Sequence, residues 1–161
     1  MTIKVNEKLP QATLFEYNDQ KINSFELSKV IKLKKIIIFA VPGAFTPTCS
    51  EQHLPGYVLN AQNFFDKGVD ELWCLSVNDP FVMYAWGLVG KSLNSIRMVS
   101  DGNCELTKKM DLVKDLGVIG LGLRSMRYAM IVDDGKVSSI FVEDDPGRLD
   151  KSDAKSVLAS L

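Results

Sequence analysis

Ile36-Ile37-Ile38-Phe39-Ala40-Val41-Pro42-Gly43-Ala44-Phe45-Thr46-Pro47-Thr48-Cys49 decides how this chain is read. Its first six residues are apolar without alternation and mostly β-branched, the pattern of a strand covered on both faces. Pro42-Gly43 ends the strand, since proline cannot donate to a ladder and glycine opens turn conformations. From Thr48 to Lys67 the residues Leu54, Val58, Ala61, Phe64 and Phe65 recur at helical spacing. A helix is therefore expected to begin near Cys49, kinked by Pro55 about one turn later. A cysteine in the first turn of a helix, just after a buried strand, meets the positive end of the helix dipole and several unpaired N–H groups, which favour its thiolate.

Working outward, Glu71 to Val77 reads as a second strand. A helix follows from about Pro80 to Val89 with proline in its first turn, then a short strand at Ile96 to Val99. This βαβ rhythm implies parallel pairing. Asp101-Gly102 is expected to open a helix running through Lys109. Arg127 to Val132 and Val137 to Val142, separated by Asp133-Asp134-Gly135, read as a hairpin. Ala154, Val157, Leu158 and Leu161 give a closing helix over 150–161. The sum is an α/β fold: a thioredoxin-like sandwich whose mixed central sheet is flanked by helices. With no internal repeat or linker, one domain over 1–161 is expected.

The totals restrict the partners. With 19 Lys+Arg against 20 Asp+Glu, the chain builds no strong field of either sign, so nucleic acid and acidic membrane surfaces are poor defaults. The apolar run at Ile36 to Val41 is far shorter than the ~20 residues of a spanning helix. The N-terminal MTIKVNEKLPQATLFEY has neither a secretory core nor an Arg-rich presequence, so a cytoplasmic location is expected, an organelle remaining open if a presequence has been removed. Three cysteines, Cys49, Cys74 and Cys104, are an odd number that fits reduced thiols better than a disulfide framework. With the single histidine, His53, they supply no pair of ligand doublets for a metal.

Pro42, Thr46 and Cys49 are spaced as in the peroxiredoxin signature of proline, three residues, threonine, two residues, cysteine. PGAFTPTCS followed by HLPGY resembles the type II, or fifth, subfamily. Ser76-Val77-Asn78-Asp79-Pro80-Phe81-Val82, Ala85-Trp86 and Gly122 to Arg127 continue the similarity over nearly the whole chain. The resemblance implies a thiol peroxidase acting on hydrogen peroxide and alkyl hydroperoxides, with a role in antioxidant defence and no metal, flavin or haem. It makes Cys49 the peroxidatic cysteine, oxidised to a sulfenic acid. It makes Thr46 the hydroxyl that bonds thiolate and peroxide, and Pro42 the residue shielding the sulfur. Arg127 falls where the family has its catalytic arginine, whose fixed fork suits orienting a peroxide better than an ammonium would. Arg124 does not occupy that motif position.

The remaining candidates divide. Cys74 lies inside an apolar strand, where a free cysteine is commonly a small buried hydrophobe. Plant members of the subfamily carry a second cysteine at this place as a proposed resolving residue, and it could reach Cys49 only if the helix start unwound. Animal relatives place a resolving cysteine late in the chain, whereas VEDDPGRLDK, from Val142 to Lys151, has none. With no late resolving cysteine, the subfamily resemblance implies glutathione with glutaredoxin as the first expected reductant and thioredoxin as the second. Cys104 sits near a helix start that would lower its pKa, but reads as structural. His53 either tunes Cys49 or packs and hydrogen-bonds locally. Trp86 and Phe81 read as core or interface aromatics, and the resemblance implies a homodimer. The alternative to an enzyme is a redox-sensing or holdase module in which oxidation of Cys49 changes a binding surface.

Overall fold

The expected buried strand lies near the middle of a seven-stranded sheet in the computed structural model, which describes residues 1–161. In chain order the elements begin with strands β1 (Thr13–Asn18) and β2 (Lys21–Glu26), helix α1 (Leu27–Val30) and strand β3 (Lys35–Ala40). A π-helical turn, Cys49–His53, leads into α2 (Leu54–Asp66), followed by β4 (Glu71–Ser76), α3 (Pro80–Val89), β5 (Ile96–Ser100) and α4 (Glu105–Lys109). Next come β6 (Val113–Asp115), a 3₁₀ turn at Gly117–Ile119, β7 (Leu123–Ser125), β8 (Tyr128–Asp133), β9 (Lys136–Val142) and α5 (Ala154–Ala159). The sheet order is β2-β1-β5-β4-β3-β8-β9, with β6 and β7 as a separate small ribbon. β3, β4 and β5 run parallel, and β8 pairs antiparallel with β3.

The unbroken apolar run of β3 has a direct cause. Ile37 and Phe39 face a core layer completed by Leu54, Tyr57 and Phe64 of α2, Trp86 of α3 and Val157 of α5. Ile36, Ile38 and Ala40 face the opposite layer with Leu27 of α1, Leu106 of α4 and Trp73 of β4. Each fully buried isoleucine or phenylalanine contributes roughly 1.5–3 kcal/mol relative to exposure, so both faces of β3 resist polar substitution. The layers are those of the expected sandwich, and no helix is long and apolar enough to cross a membrane.

Three differences from the sequence reading have physical explanations. The first hairpin, β1 with β2, closes through Asp19-Gln20, both at positive φ (50° and 63°), without the glycine that advertises such a turn. The helix expected from Asp101 begins only at Glu105, because Cys104 takes a left-handed conformation at φ 56°. Asp101 still serves that helix: its carboxylate accepts from the N–H groups of Glu105, Leu106 and Thr107 and from the Thr107 hydroxyl, at 2.7–3.2 Å. The helix expected over 150–161 shortens to Ala154–Ala159, capped by Asp153, whose side chain accepts from the Ser156 N–H.

The topology gathers loops at one edge. Parallel β3 and β4 both end there, and antiparallel β8 begins there, with Ala40 opposite Tyr128. Arg127, just ahead of β8, is thereby carried to the mouth of the Pro42–Thr48 loop. Asn78 ties the neighbouring loop in, its Oδ1 accepting from Ala44 N at 2.9 Å and from the Ser76 hydroxyl at 2.6 Å. Replacing Asp101 by Ala should destabilise the fold by about 2–3 kcal/mol, since it leaves buried N–H groups unsatisfied. Urea denaturation checks this, and an unchanged midpoint would contradict the capping role.

Candidate active site

Proline sets the geometry of the cysteine-bearing turn. Pro47 opens it, where a missing N–H costs nothing. Pro55, at the second position of α2, cannot donate to a carbonyl in the turn before it. In place of a sharp kink, the chain widens: Leu54 N–H reaches back five residues to Cys49 O, giving the π-helical turn Cys49–His53. Trp86 Nε1–H holds this turn from outside, donating to Ser50 Oγ at 3.0 Å.

The Cys49 sulfur has no exposed surface, and a guanidinium meets it there. Arg127, itself only 2% exposed, directs one nitrogen to each of three partners. Nη2 donates to Cys49 Sγ at 3.1 Å, Nη1 to His53 Nδ1 at 3.0 Å, and Nε to Pro146 O at 3.0 Å. The contact to Cys49 Sγ sets a fixed cationic donor directly on the sulfur. Guanidinium nitrogens only donate, so His53 Nδ1 must accept and the ring proton sits on Nε2. There it donates to Ser152 O at 3.1 Å, a carbonyl that also accepts from Tyr57 Oη at 2.8 Å. Burial among Phe39 and Tyr57, with the Arg127 charge adding to it, lowers the His53 pKa to about 3, so the ring is neutral. His53 therefore touches Cys49 through Arg127 and not by its own charge, and its hydrogen-bond partners are distant in sequence rather than local.

Pro42 is buried at the end of β3, and Thr46 is half-buried in the loop. The Thr46 hydroxyl donates to Gly43 O at 2.7 Å, which commits its proton and leaves lone pairs to accept. A pocket of about 240 Å³ opens over this loop. Pro42, Thr46, Pro47 and Thr48 of the loop line it together with the apolar side chains of Leu116, Ile119 and Leu121. Arg127 lines the pocket as well as touching the sulfur, so the cavity ends one guanidinium away from Cys49. The whole arrangement sets a small apolar mouth, a directed cation and a buried sulfur in line.

Of the other sequence candidates, Cys74 faces the same core layer as Cys49 from β4. Burial pushes its thiol well above the usual range, and the neighbouring Cys49 adds to this. Cys104 corrects an expectation: burial and the nearby Asp101 raise its pKa, where a helix-start position was expected to lower it. The left-handed residue stands outside the helix and the Asp101 carboxylate takes up the first-turn N–H groups, so the dipole has little hold on the thiol. Arg124 sits close by, donating from Nε to Leu121 O at 2.8 Å and from Nη1 to Pro42 O at 3.4 Å, away from the sulfur. Sequence reasoning missed Asn78 and the loop through Pro146 and Ser152. Nowhere do three or more metal-ligating side chains converge.

The sequence matches the redoxin family over residues 4–158. The chain belongs to that family, as a type II-like peroxiredoxin. Peroxiredoxin-2B of Arabidopsis thaliana is 43% identical over 161 residues, covering 99% of this chain and 98% of its own. The chloroplastic peroxiredoxin-2E-2 of Oryza sativa is 43% identical over 99% of this chain and 73% of its own. Reduced Prx3 from Vibrio vulnificus in complex with hydrogen peroxide superposes with a TM-score of 0.94 at 43% identity, covering 99% of both chains. The peroxiredoxin is accordingly a thiol-dependent peroxidase, an oxidoreductase on a thioredoxin-like fold.

The neutral His53 has a consequence for acid stability. Its pKa is about 3 in the folded chain against 6.5 unfolded, so between these values the unfolded chain binds the extra proton. The stability contributed by keeping the ring neutral is complete above pH 6.5 and is lost as pH falls toward 3. A His53→Gln variant, which has no proton to take up, should show a flatter dependence of unfolding free energy on pH across that window. Parallel curves for the two proteins would contradict the assignment.

Proposed function

We propose that Cys49 is the peroxidatic cysteine of this peroxiredoxin, with Arg127, Thr46 and Pro42 completing its site. The observation that carries the reading is the 3.1 Å contact from Arg127 Nη2 to Cys49 Sγ at the end of an apolar pocket. The thiolate attacks the terminal oxygen of a hydroperoxide. An S–O bond forms as the O–O bond breaks, and the electron pair leaves on the distal oxygen, which takes a proton from water to become an alcohol or water. Arg127 and first-turn N–H groups near Thr48 and Cys49 meet the charge growing on the oxygens, as preorganised donors do. Thr46 Oγ1, its proton held by Gly43 O, accepts from the peroxide hydroxyl. Pro42 keeps bulk water from the sulfur.

Leu116, Ile119 and Leu121 in the pocket wall favour alkyl hydroperoxides alongside hydrogen peroxide, the ligand named for the Vibrio vulnificus relative. One external thiol then attacks the sulfenic sulfur, releasing water. A second displaces Cys49 from the mixed disulfide, which regenerates the enzyme. Glutathione with glutaredoxin is the first choice of reductant and thioredoxin the second. The absence of a cysteine between Val142 and Lys151 and the burial of the Cys74 thiol both support an external resolving thiol. A homodimer is supported by α3, which carries no charged residue yet exposes Phe81, Leu88 and Val89.

Cys49→Ser should abolish peroxide consumption with any reductant, and retained turnover would remove the proposal. After stoichiometric peroxide, intact mass should show Cys49 gaining one oxygen atom, equally in the wild type and in Cys74→Ala. Loss of two hydrogens in the wild type alone would instead establish a Cys49–Cys74 disulfide.

A further inference from the structure

Glu143 is a carboxylate in a place where a carboxylate is costly. It stands directly after β9 at 3% exposure, with no lysine or arginine in ion-pair contact. A single oxygen, Oε1, accepts four hydrogen bonds instead: from Asp150 N at 3.0 Å, Lys151 N at 2.7 Å, Ser152 N at 2.7 Å and Ser152 Oγ at 2.9 Å. Burial works against ionisation, but the bonds from Ser152, Lys151 and Asp150 outweigh it and hold the carboxyl below its usual range. Three successive N–H groups are thus drawn onto one anion, which fixes the chain from Asp150 to Ser152 in one conformation.

That chain segment is where the support for Arg127 begins. Ser152 O receives the His53 Nε2 proton, and this determines which tautomer faces the guanidinium. If the carbonyl moved away, a proton on Nδ1 would point at Arg127 Nη1–H, donor against donor. Pro146 O, the acceptor for Arg127 Nε, lies in the same loop between Glu143 and Ser152. The backbone of Glu143 adds a third hold, its N–H donating to the Arg127 carbonyl at 2.9 Å. Every protein partner of the guanidinium other than the sulfur is therefore held, directly or through one residue, by the loop that Glu143 closes.

We propose that Glu143 is a positioning residue for the peroxidase reaction, aiming Arg127 at Cys49 through the Ser152 carbonyl and the His53 ring. It touches neither the sulfur nor the peroxide. Its effect on rate passes entirely through the guanidinium. The inference rests on the reading of Arg127 given above.

The test is a double-mutant cycle on the second-order rate constant for hydrogen peroxide, measured by stopped flow on the reduced protein. Glu143→Ala should slow the wild-type reaction about tenfold to a hundredfold, the scale of a misplaced catalytic group. In an Arg127→Ala background the same change should cost less than about twofold, because the group it aims is gone. Glu143→Gln keeps a carbonyl oxygen for the four donors and should recover most of the rate, whereas Glu143→Asp, whose shorter side chain draws the carboxylate away from those donors, takes the place of Glu143→Ala in the cycle if the latter does not fold. Equal losses in both backgrounds would reduce Glu143 to a loop staple and overturn the proposal, as would an unchanged wild-type rate. If Arg127→Ala alone reacts at the wild-type rate, the reading of Arg127 fails and takes this inference with it. If Arg127→Ala is slow while Glu143→Ala is not, only this inference fails.

Discussion

The Cys49 sulfur has no exposed surface, and the one side chain that hydrogen-bonds it is Arg127, through a single nitrogen at 3.1 Å. Much of the fold serves that bond. β3 must be long and rigid enough to deliver the cysteine-bearing loop to one edge of the sheet. β8 must pair antiparallel with β3, in the register Ala40 to Tyr128, so that the residue before it arrives at the same edge. His53 and Pro146 then occupy the other two donor directions of the guanidinium, leaving Nη2 for the sulfur. A lysine in the same place would bring charge without that three-way geometry.

Burial of the sulfur creates an opposing demand. A hydroperoxide can approach through the apolar pocket as far as Arg127, but any thiol attacking an oxidised Cys49 needs more room than the closed site gives. The sulfur stands at the start of the π-helical turn Cys49–His53, a local widening of the helix of the kind often found at functional sites. Trp86 holds this turn at Ser50, Arg127 at Cys49 and His53, and the Ser152 carbonyl at His53, while Thr48 Oγ1 donates to Gly147 O at 3.3 Å just ahead of it. The hydrophobic layer beneath, with Phe39 stacked on Tyr57 at 3.9 Å, is well packed by comparison.

The parts of this architecture legible in the sequence are those with local causes. Ile36 to Val41 announces a doubly covered strand by composition alone, and Asp134-Gly135 announces its hairpin through a glycine at positive φ. Asp19-Gln20 makes a comparable two-residue turn without glycine, so β1 and β2 went unread. The contact between residues 49 and 127 follows from strand pairing, which no spacing rule encodes; only family resemblance pointed to Arg127. Glu143 and Ser152 carried no signal at all, because a buried carboxylate and a bonded carbonyl become visible only once the loop has closed around them. His53 was legible as a neighbour of Cys49, but its neutral state depends on aromatic burial that only the packed structure supplies.

The most direct measurement is the second-order rate constant of the reduced protein with an alkyl hydroperoxide, compared between wild type and Arg127→Lys. Directed donation from a fixed fork predicts a fall of about a hundredfold or more, despite the retained positive charge. A rate within about twofold of wild type would mean that the charge alone suffices, and would contradict the account.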